Sequence, residues 1–389
     1  MIYLDNASTT KPDGRVIEAM LPYLTEEYAN PSALYKCARE ARGAVEGARA
    51  AVANILNAKP QEIYFTASGS ESDNTAIKGI ARQYKDKGKH IVTSKIEHPA
   101  VLETCRELER EGFSVSYVSV DENGIVNLKE LENSIRDDTV LISVMFANNE
   151  IGTVQPVKEI GKIARRHKVF FHTDAVQAAG SLKIDAEAMN IDALSLSAHK
   201  FHGPKGVGAL YVKSGVRFER FVDGGHQERG KRAGTENVAG IVGLAKALEL
   251  ADAELNEKNE RVRALRDYYE ERVLGEIPFV KRNGHITRRL AGTSNLSFRF
   301  VEGESLLLNL DLKGICASSG SACTSGSLEA SHVLLAVGLP HEIAHGSLRI
   351  SIGKYNTKEE IDYLADSLKE IVQKLRAMSP LYEEFTGGN

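Results

Sequence analysis

The sequence predicts an α/β fold: a large, doubly wound, mainly parallel sheet joined to a smaller α+β unit. Three observations carry this. Short apolar strands alternate with helical patterns over about residues 60–250. Two of those strands, TVLISVMF (139–146) and KVFFHT (168–173), are near-continuous apolar runs rich in Val, Ile and Phe, as in strands buried on both faces. Beyond residue 251 the composition changes, and a charged helix precedes a separate set of strands and helices.

In order, QEIYF (61–65) reads as a strand that ends in the small polar run TASGSESDN (66–74), with a helix from Glu71 to about Tyr84. HIVTS (90–94) is a strand, followed by EHPA (97–100) and a helix through Leu102 and Leu108. SVSYV (114–118) and the two apolar runs follow, with the helix PVKEIGKIARRH (156–167) opening on a proline between those runs. IDALSLS (191–197) and VGALYV (207–212) complete the series. The charged helix at about 251–274 carries Leu255, Val262, Leu265, Tyr269 and Val273 at helical spacing. Strands at 292–300 and 346–352 flank a helix at 303–313. The last helix opens with Thr357 and Glu360 in capping-box spacing. The expected division is a large domain over 14–255 and a small one formed by 1–13 with 256–389.

The 389 residues are 42% hydrophobic, enough for a sizeable core, so global disorder is excluded. No apolar run of ~18 residues suggests a membrane span. The start MIYLDNASTT has an acid at position 5 and no basic region, unlike a secretory signal, so a cytoplasmic location is expected. Lys+Arg 49 nearly balances Asp+Glu 53, which argues against a nucleic-acid partner. The four cysteines, Cys37, Cys105, Cys316 and Cys323, are too few for a disulfide framework and form no C-x-x-C pair. Cys37, Cys105 and Cys316 read as packing thiols. Cys323 lies in ASSGSACTSGS (317–327), where small polar neighbours leave a thiol exposed and able to react.

Lys200, in SLSAHKFHGPKGVG (195–208), follows an apolar strand and precedes a Gly/Pro turn, which places it partly buried at a strand end. A desolvated lysine has a lowered pKa and can attack an aldehyde. Asp174, in VFFHTDAVQAAG (169–180), ends another apolar strand; its plainest role is to cap a helix starting near Ala175. The two residues are one βα unit apart. A lysine and an acid facing one crevice suit pyridoxal 5′-phosphate (PLP), whose ring nitrogen must stay protonated to act as an electron sink. Gly69 and Ser70 sit where a helix start could hold a phosphate. His98, before Pro99, could stack on a planar ring and move protons. A metal reading of His172, Asp174, His199 and His202 is weaker, because two of these histidines flank the lysine and no HExxH spacing is present.

The set SAHKFHGPKGVG, HTDAVQAAG, SKIEHPAVLET, NNEIGTVQP, RAGTENV, SSGSACTS and AHGSLRISIG resembles the NifS/IscS-type cysteine desulfurases, which are fold-type I PLP-dependent enzymes of the class V aminotransferase family. The resemblance runs from YLDNASTT to the last helix. It implies that Lys200 links covalently to PLP, that Asp174 pairs with the ring nitrogen, that His98 stacks on the ring, and that Gln177 bonds its phenolic oxygen. It places Gly69, Ser70, Ser197 and His199 at the phosphate, and Thr235 at the phosphate of a neighbouring subunit, which implies a homodimer. Asn149 and Arg349 match holders of the substrate carboxylate, and Cys323 the cysteine that becomes a persulfide. The implied reaction converts L-cysteine to L-alanine and passes sulfur to an acceptor protein, an iron–sulfur scaffold or a tRNA-thiolation protein. No resident metal is implied; a transient iron–sulfur cluster on Cys323 stays open. The sequence departs from the family in SGS (68–70) where GGT is frequent, in His226 at a usual glycine, and in Tyr35 near a usual histidine. The competing readings are a selenocysteine lyase or other fold-type I lyase, and a catalytically idle scaffold.

Overall fold

The computed structural model describes residues 1–319 and 330–387. Among them are twelve strands: β1 (Ile2–Tyr3), β2 (Ile63–Thr66), β3 (His90–Ser94), β4 (Ser114–Val118), β5 (Thr139–Ser143), β6 (Phe170–Asp174), β7 (Ala193–Ser197), β8 (Gly208–Val212), β9 (Val280–Asn283), β10 (Thr293–Phe298), β11 (Ile315–Cys316) and β12 (Ser347–Ser351). Seven form the large sheet in the order β2-β8-β7-β6-β5-β3-β4. Its pairs from β7 through β4 are parallel, and β8 runs antiparallel to both β2 and β7. The doubly wound, mainly parallel sheet expected from the sequence is therefore present. Strands β3, β5, β7 and β8 are buried throughout, as the Val/Ile/Leu-rich runs require.

Two expected elements differ in detail. The run 139–146 leaves the strand after Ser143, yet Val144 and Phe146 stay buried and their amides donate to the carbonyls of His172 and Asp174. The expected helix after Asp174 is a turn over 176–181, and Asp174 caps it by accepting from the Val176 amide at 2.9 Å.

The helix Gly69–Gln83 covers the sheet beside β7 and β8. Ser68 caps it from an extended backbone, accepting from the Glu71 amide. Its buried stripe runs Asp73, Ala76, Ile77, Ile80, at helical spacing. Close approach to the sheet depends on Gly208, where a Cβ would lie 2.8 Å from the Ser68 carbonyl carbon.

A second core lies around an antiparallel sheet in the order β12-β10-β9, packed by the helices Leu255–Glu276 and Lys358–Ala377. Both halves of the capping box at Thr357 and Glu360 form. The N-terminal segment belongs to this core through Leu4 and the β1–β11 pair, then crosses to the large sheet, where Thr10 donates to the His199 carbonyl. Cys105 is buried as expected and Cys316 partly so. Cys37 is exposed, contrary to the packing reading. The helix Lys36–Ile55 turns Ala38, Ala41, Val45, Ala48 and Val52 inward, and Cys37 falls outside that stripe.

Candidate active site

A cavity of about 240 Å³ opens beyond the carboxyl ends of β6 and β7, where open α/β sheets bind ligands. Ten of the twelve candidate residues line it: Gly69, Ser70, His98, Asn149, Asp174, Gln177, Ser197, His199, Lys200 and Arg349. Thr235 is exposed and lies outside this lining. Cys323 falls outside the described residues.

Lys200 sits in the short turn Ala198–Lys200 that follows β7. Its Nζ donates to the carbonyls of Ala7 at 2.6 Å and Ser8 at 2.8 Å. Gln177 Nε2 donates to the same Ala7 carbonyl at 2.9 Å. The crossing segment at residues 7–8 thus fixes the amine at the cavity wall. His199 Nδ1 lies 3.1 Å from Thr9 Oγ1, and burial, with the charge of Lys200 adding, pushes its pKa down to about 4.

Asp174 ends β6 and is 6% exposed. Burial raises its pKa, opposed by His98, the Val176 amide and Lys200. His98 caps the helix Pro99–Arg110, its Nδ1 accepting from the Ala100 amide at 3.1 Å. Burial lowers its pKa, so the neutral ring carries its proton on Nε2.

Arg349, on β12, is 4% exposed. It donates to the Asn149 carbonyl at 2.9 Å, to Asp5 at 2.8 Å and to the Ser8 hydroxyl at 2.7 Å. Its Nε is buried and has no partner among the described residues. A buried donor left without a partner is costly, and a carboxylate oxygen is a strong acceptor for a guanidinium N–H.

Sequence reasoning passed over Asp73, which also lines the cavity and is 1% exposed. Burial and the nearby Asp174 charge raise its pKa well above the carboxylate range, while Ser195 opposes. The charge of Asp174 disfavours ionisation of Asp73. Asp174 faces Lys200 and a backbone amide, so Asp174 holds the negative charge and Asp73 the proton. The readable signal was an acid on the apolar stripe of a helix. His172, weighed as a metal ligand, is fully buried with Ser143 on one ring nitrogen and Ser195 on the other.

Residues 2–364 match the profile of the aminotransferase class-V family. The chain belongs to that family. It is 58% identical over 380 residues to a cysteine desulfurase IscS of Methanosarcina thermophila, with 98% of this chain and 94% of that protein covered. A solved NifS-like protein superposes with a TM-score of 0.91 at 40% identity, covering 96% of this chain and 99% of that one. A solved SspA in complex with cysteine gives a TM-score of 0.82 at 38% identity, covering 92% of this chain and all of that one.

Class V enzymes of this kind depend on PLP, and the residues present fit it. The first amides of the helix Gly69–Gln83 have no partner within the helix and face the cavity at Gly69 and Ser70, suited to a phosphate. Gly69 keeps that wall open, because a Cβ there would lie 2.6 Å from Val176 Cγ2. A buried carboxylate and a lysine stand at the same cavity. The group would be held by Lys200, by Asp174 at its ring nitrogen and by the Gly69–Ser70 helix start.

Proposed function

We propose that this protein is a PLP-dependent cysteine desulfurase that carries sulfur from L-cysteine to an acceptor through Cys323 and leaves L-alanine. The observation behind this is one cavity that joins Lys200, buried Asp174 and Arg349, whose Nε donor is unanswered among the described residues, in a chain close to a cysteine desulfurase over its length. Bound PLP supplies an electron sink for charge developing at the substrate α-carbon.

The chain's own groups supply the rest. Arg349 and Asn149 orient the substrate carboxylate. Lys200 takes the α-proton at its Nζ, and the Ala7 and Ser8 carbonyls keep that atom in place. Asp174 keeps the cofactor ring nitrogen protonated, and His98 holds a proton on Nε2 beside it. The Cys323 thiolate attacks the substrate sulfur, forming an S–S bond as the carbon–sulfur bond breaks, and the carbon is protonated to alanine.

The same reading assigns residues 14–255 to a cofactor domain and 1–13 with 256–389 to a domain carrying Cys323. Exposed Thr235 suits a contact with the phosphate of a second subunit, so the working unit is a homodimer. Acceptors are iron–sulfur scaffold or tRNA-thiolation proteins in the cytoplasm. No helix among the described residues is long and apolar enough to cross a membrane.

The test is mass measurement of the Cys323 peptide after L-cysteine is added to the yellow holoenzyme. A persulfide on that peptide, with alanine formed in equal amount, is expected. Cys323→Ser keeps the visible band and loses sulfur transfer. Sulfide release at the parental rate by Cys323→Ser would show that another group takes the sulfur. Preferential turnover of selenocysteine would favour a selenocysteine lyase instead.

A further inference from the structure

A second cavity, of about 80 Å³, shares Ala7, Gln177 and Lys200 with the first. It continues between the helix Leu255–Glu276 and the strand ends near Thr293 and Ser351. Among the described residues its lining holds three lysines, Lys200, Lys258 and Lys354, and no aspartate or glutamate.

The three lysines differ in what answers their charge. Lys200 donates to the two carbonyls already described. Lys354 pairs with Asp13 and, at 3.5 Å, with Glu254, both outside this lining. Lys258 donates to the Gly180 carbonyl and forms no ion pair among the described residues. An ammonium has three donor hydrogens, and one carbonyl satisfies one of them. Burial pushes Lys258 down to about 8, Lys354 adds to the fall, and only Glu254 opposes it. Lys258 is half-buried and has no ion-pair partner of its own among the described residues; partial desolvation of such a cation is costly, and a bound anion offsets that cost. The space is larger than a single water needs.

We propose that this cavity is a binding site for a small inorganic oxyanion of the sulfate or bicarbonate class, held by Lys258 with Lys354 at its edge. The site is separate from the Gly69–Ser70 phosphate cradle, and the proposal stands whether or not the enzyme acts on cysteine. Because Lys200 lines both cavities, an anion here acts on the field at the reacting amine.

Sodium sulfate titrated into the holoenzyme by calorimetry at constant ionic strength tests it, since the cradle is then filled by the cofactor. One saturable site per chain is expected. Lys258→Met should weaken it by about tenfold or more, the loss of one charge-assisted contact, and Lys258→Arg should retain it. An isotherm unchanged in Lys258→Met, or no saturable binding, overturns the site. Selenate diffused into crystals of the unmutated holoenzyme needs no variant to fold. Anomalous density within hydrogen-bond reach of Lys258 Nζ supports the proposal, and its absence there refutes it.

Discussion

The Ser331 hydroxyl donates to Glu150 Oε2 across 2.5 Å, tying the start of the helix His332–Ala336 to the residue that follows Asn149. Glu150 is 6% exposed, and burial raises its pKa to about 7, with Ser331 and Arg349 opposing. An acid that holds its proton more tightly folded than unfolded makes stability fall as pH rises. The fall starts near the ordinary value of 4.5 and is complete above about 7. The shift corresponds to roughly 3 kcal/mol at about 1.4 kcal/mol per unit. Glu150→Gln should therefore flatten the decline of the urea midpoint between those limits. An equally steep decline in the variant would mean that Glu150 is ionised throughout.

Lys200 and Asp174 should fail in different ways. Lys200→Ala removes the base and the covalent anchor, so the visible band of the bound cofactor is lost and turnover falls by about 10²–10⁴-fold or more. Asp174→Asn keeps the shape of the site but cannot hold the ring nitrogen protonated. It should retain cofactor while losing α-proton exchange, measured as deuterium uptake into alanine. Asp73→Asn, which mimics the protonated acid assigned there, should leave both readouts near the parental level.

Most of the sheet was legible because its buried strands are short apolar runs between turn residues. HIVTS, buried throughout, matches its expected bounds to the residue, and so does SVSYV, a half-buried edge strand whose first four residues alternate polar and apolar. The helix Val238–Ala253 was not picked out. Val238, Ala239, Ile241, Leu244, Ala245 and Leu248 are all buried, so its apolar surface wraps around and gives little periodicity. In the site, residues with distinctive chemistry were readable at strand ends. The contacts that hold them were not. The carbonyls of Ala7 and Ser8 meet Lys200 across more than 190 positions, and a backbone carbonyl has no signature in sequence.

The segment leading to Thr235 is anchored by a buried ion pair. Arg49 donates to both carboxylate oxygens of Glu228, at 2.7 and 2.9 Å, and Glu228 also accepts from the Phe65 amide at 3.0 Å. Glu228 and Arg229 both adopt positive φ, a conformation that non-glycine residues keep only when their surroundings hold them. Arg49→Met leaves Glu228 buried without its partner and should cost about 3–5 kcal/mol of unfolding free energy. Replacing both residues by apolar ones should recover part of that loss. A loss under 1 kcal/mol in the single variant, by urea denaturation, would place Glu228 in water (that threshold is about the upper worth of an exposed pair).

Gly69 gives the sharpest test of the phosphate cradle. Its contact is with a side chain, Val176 Cγ2, and the next neighbour, Ser197 Cβ, is 3.4 Å away. Alanine is a better helix former than glycine, so Gly69→Ala should not unfold the helix Gly69–Gln83. The added methyl must instead push Val176 into the cavity or displace the helix start. Overpacking of this kind costs about 1–3 kcal/mol, which should appear as roughly tenfold weaker cofactor binding in a fluorescence titration of the apoenzyme. Val176→Ala in the same chain removes the colliding atom and should restore binding. Failure of the double variant to recover would locate the constraint in the backbone at Gly69, because the side-chain clash would then be gone.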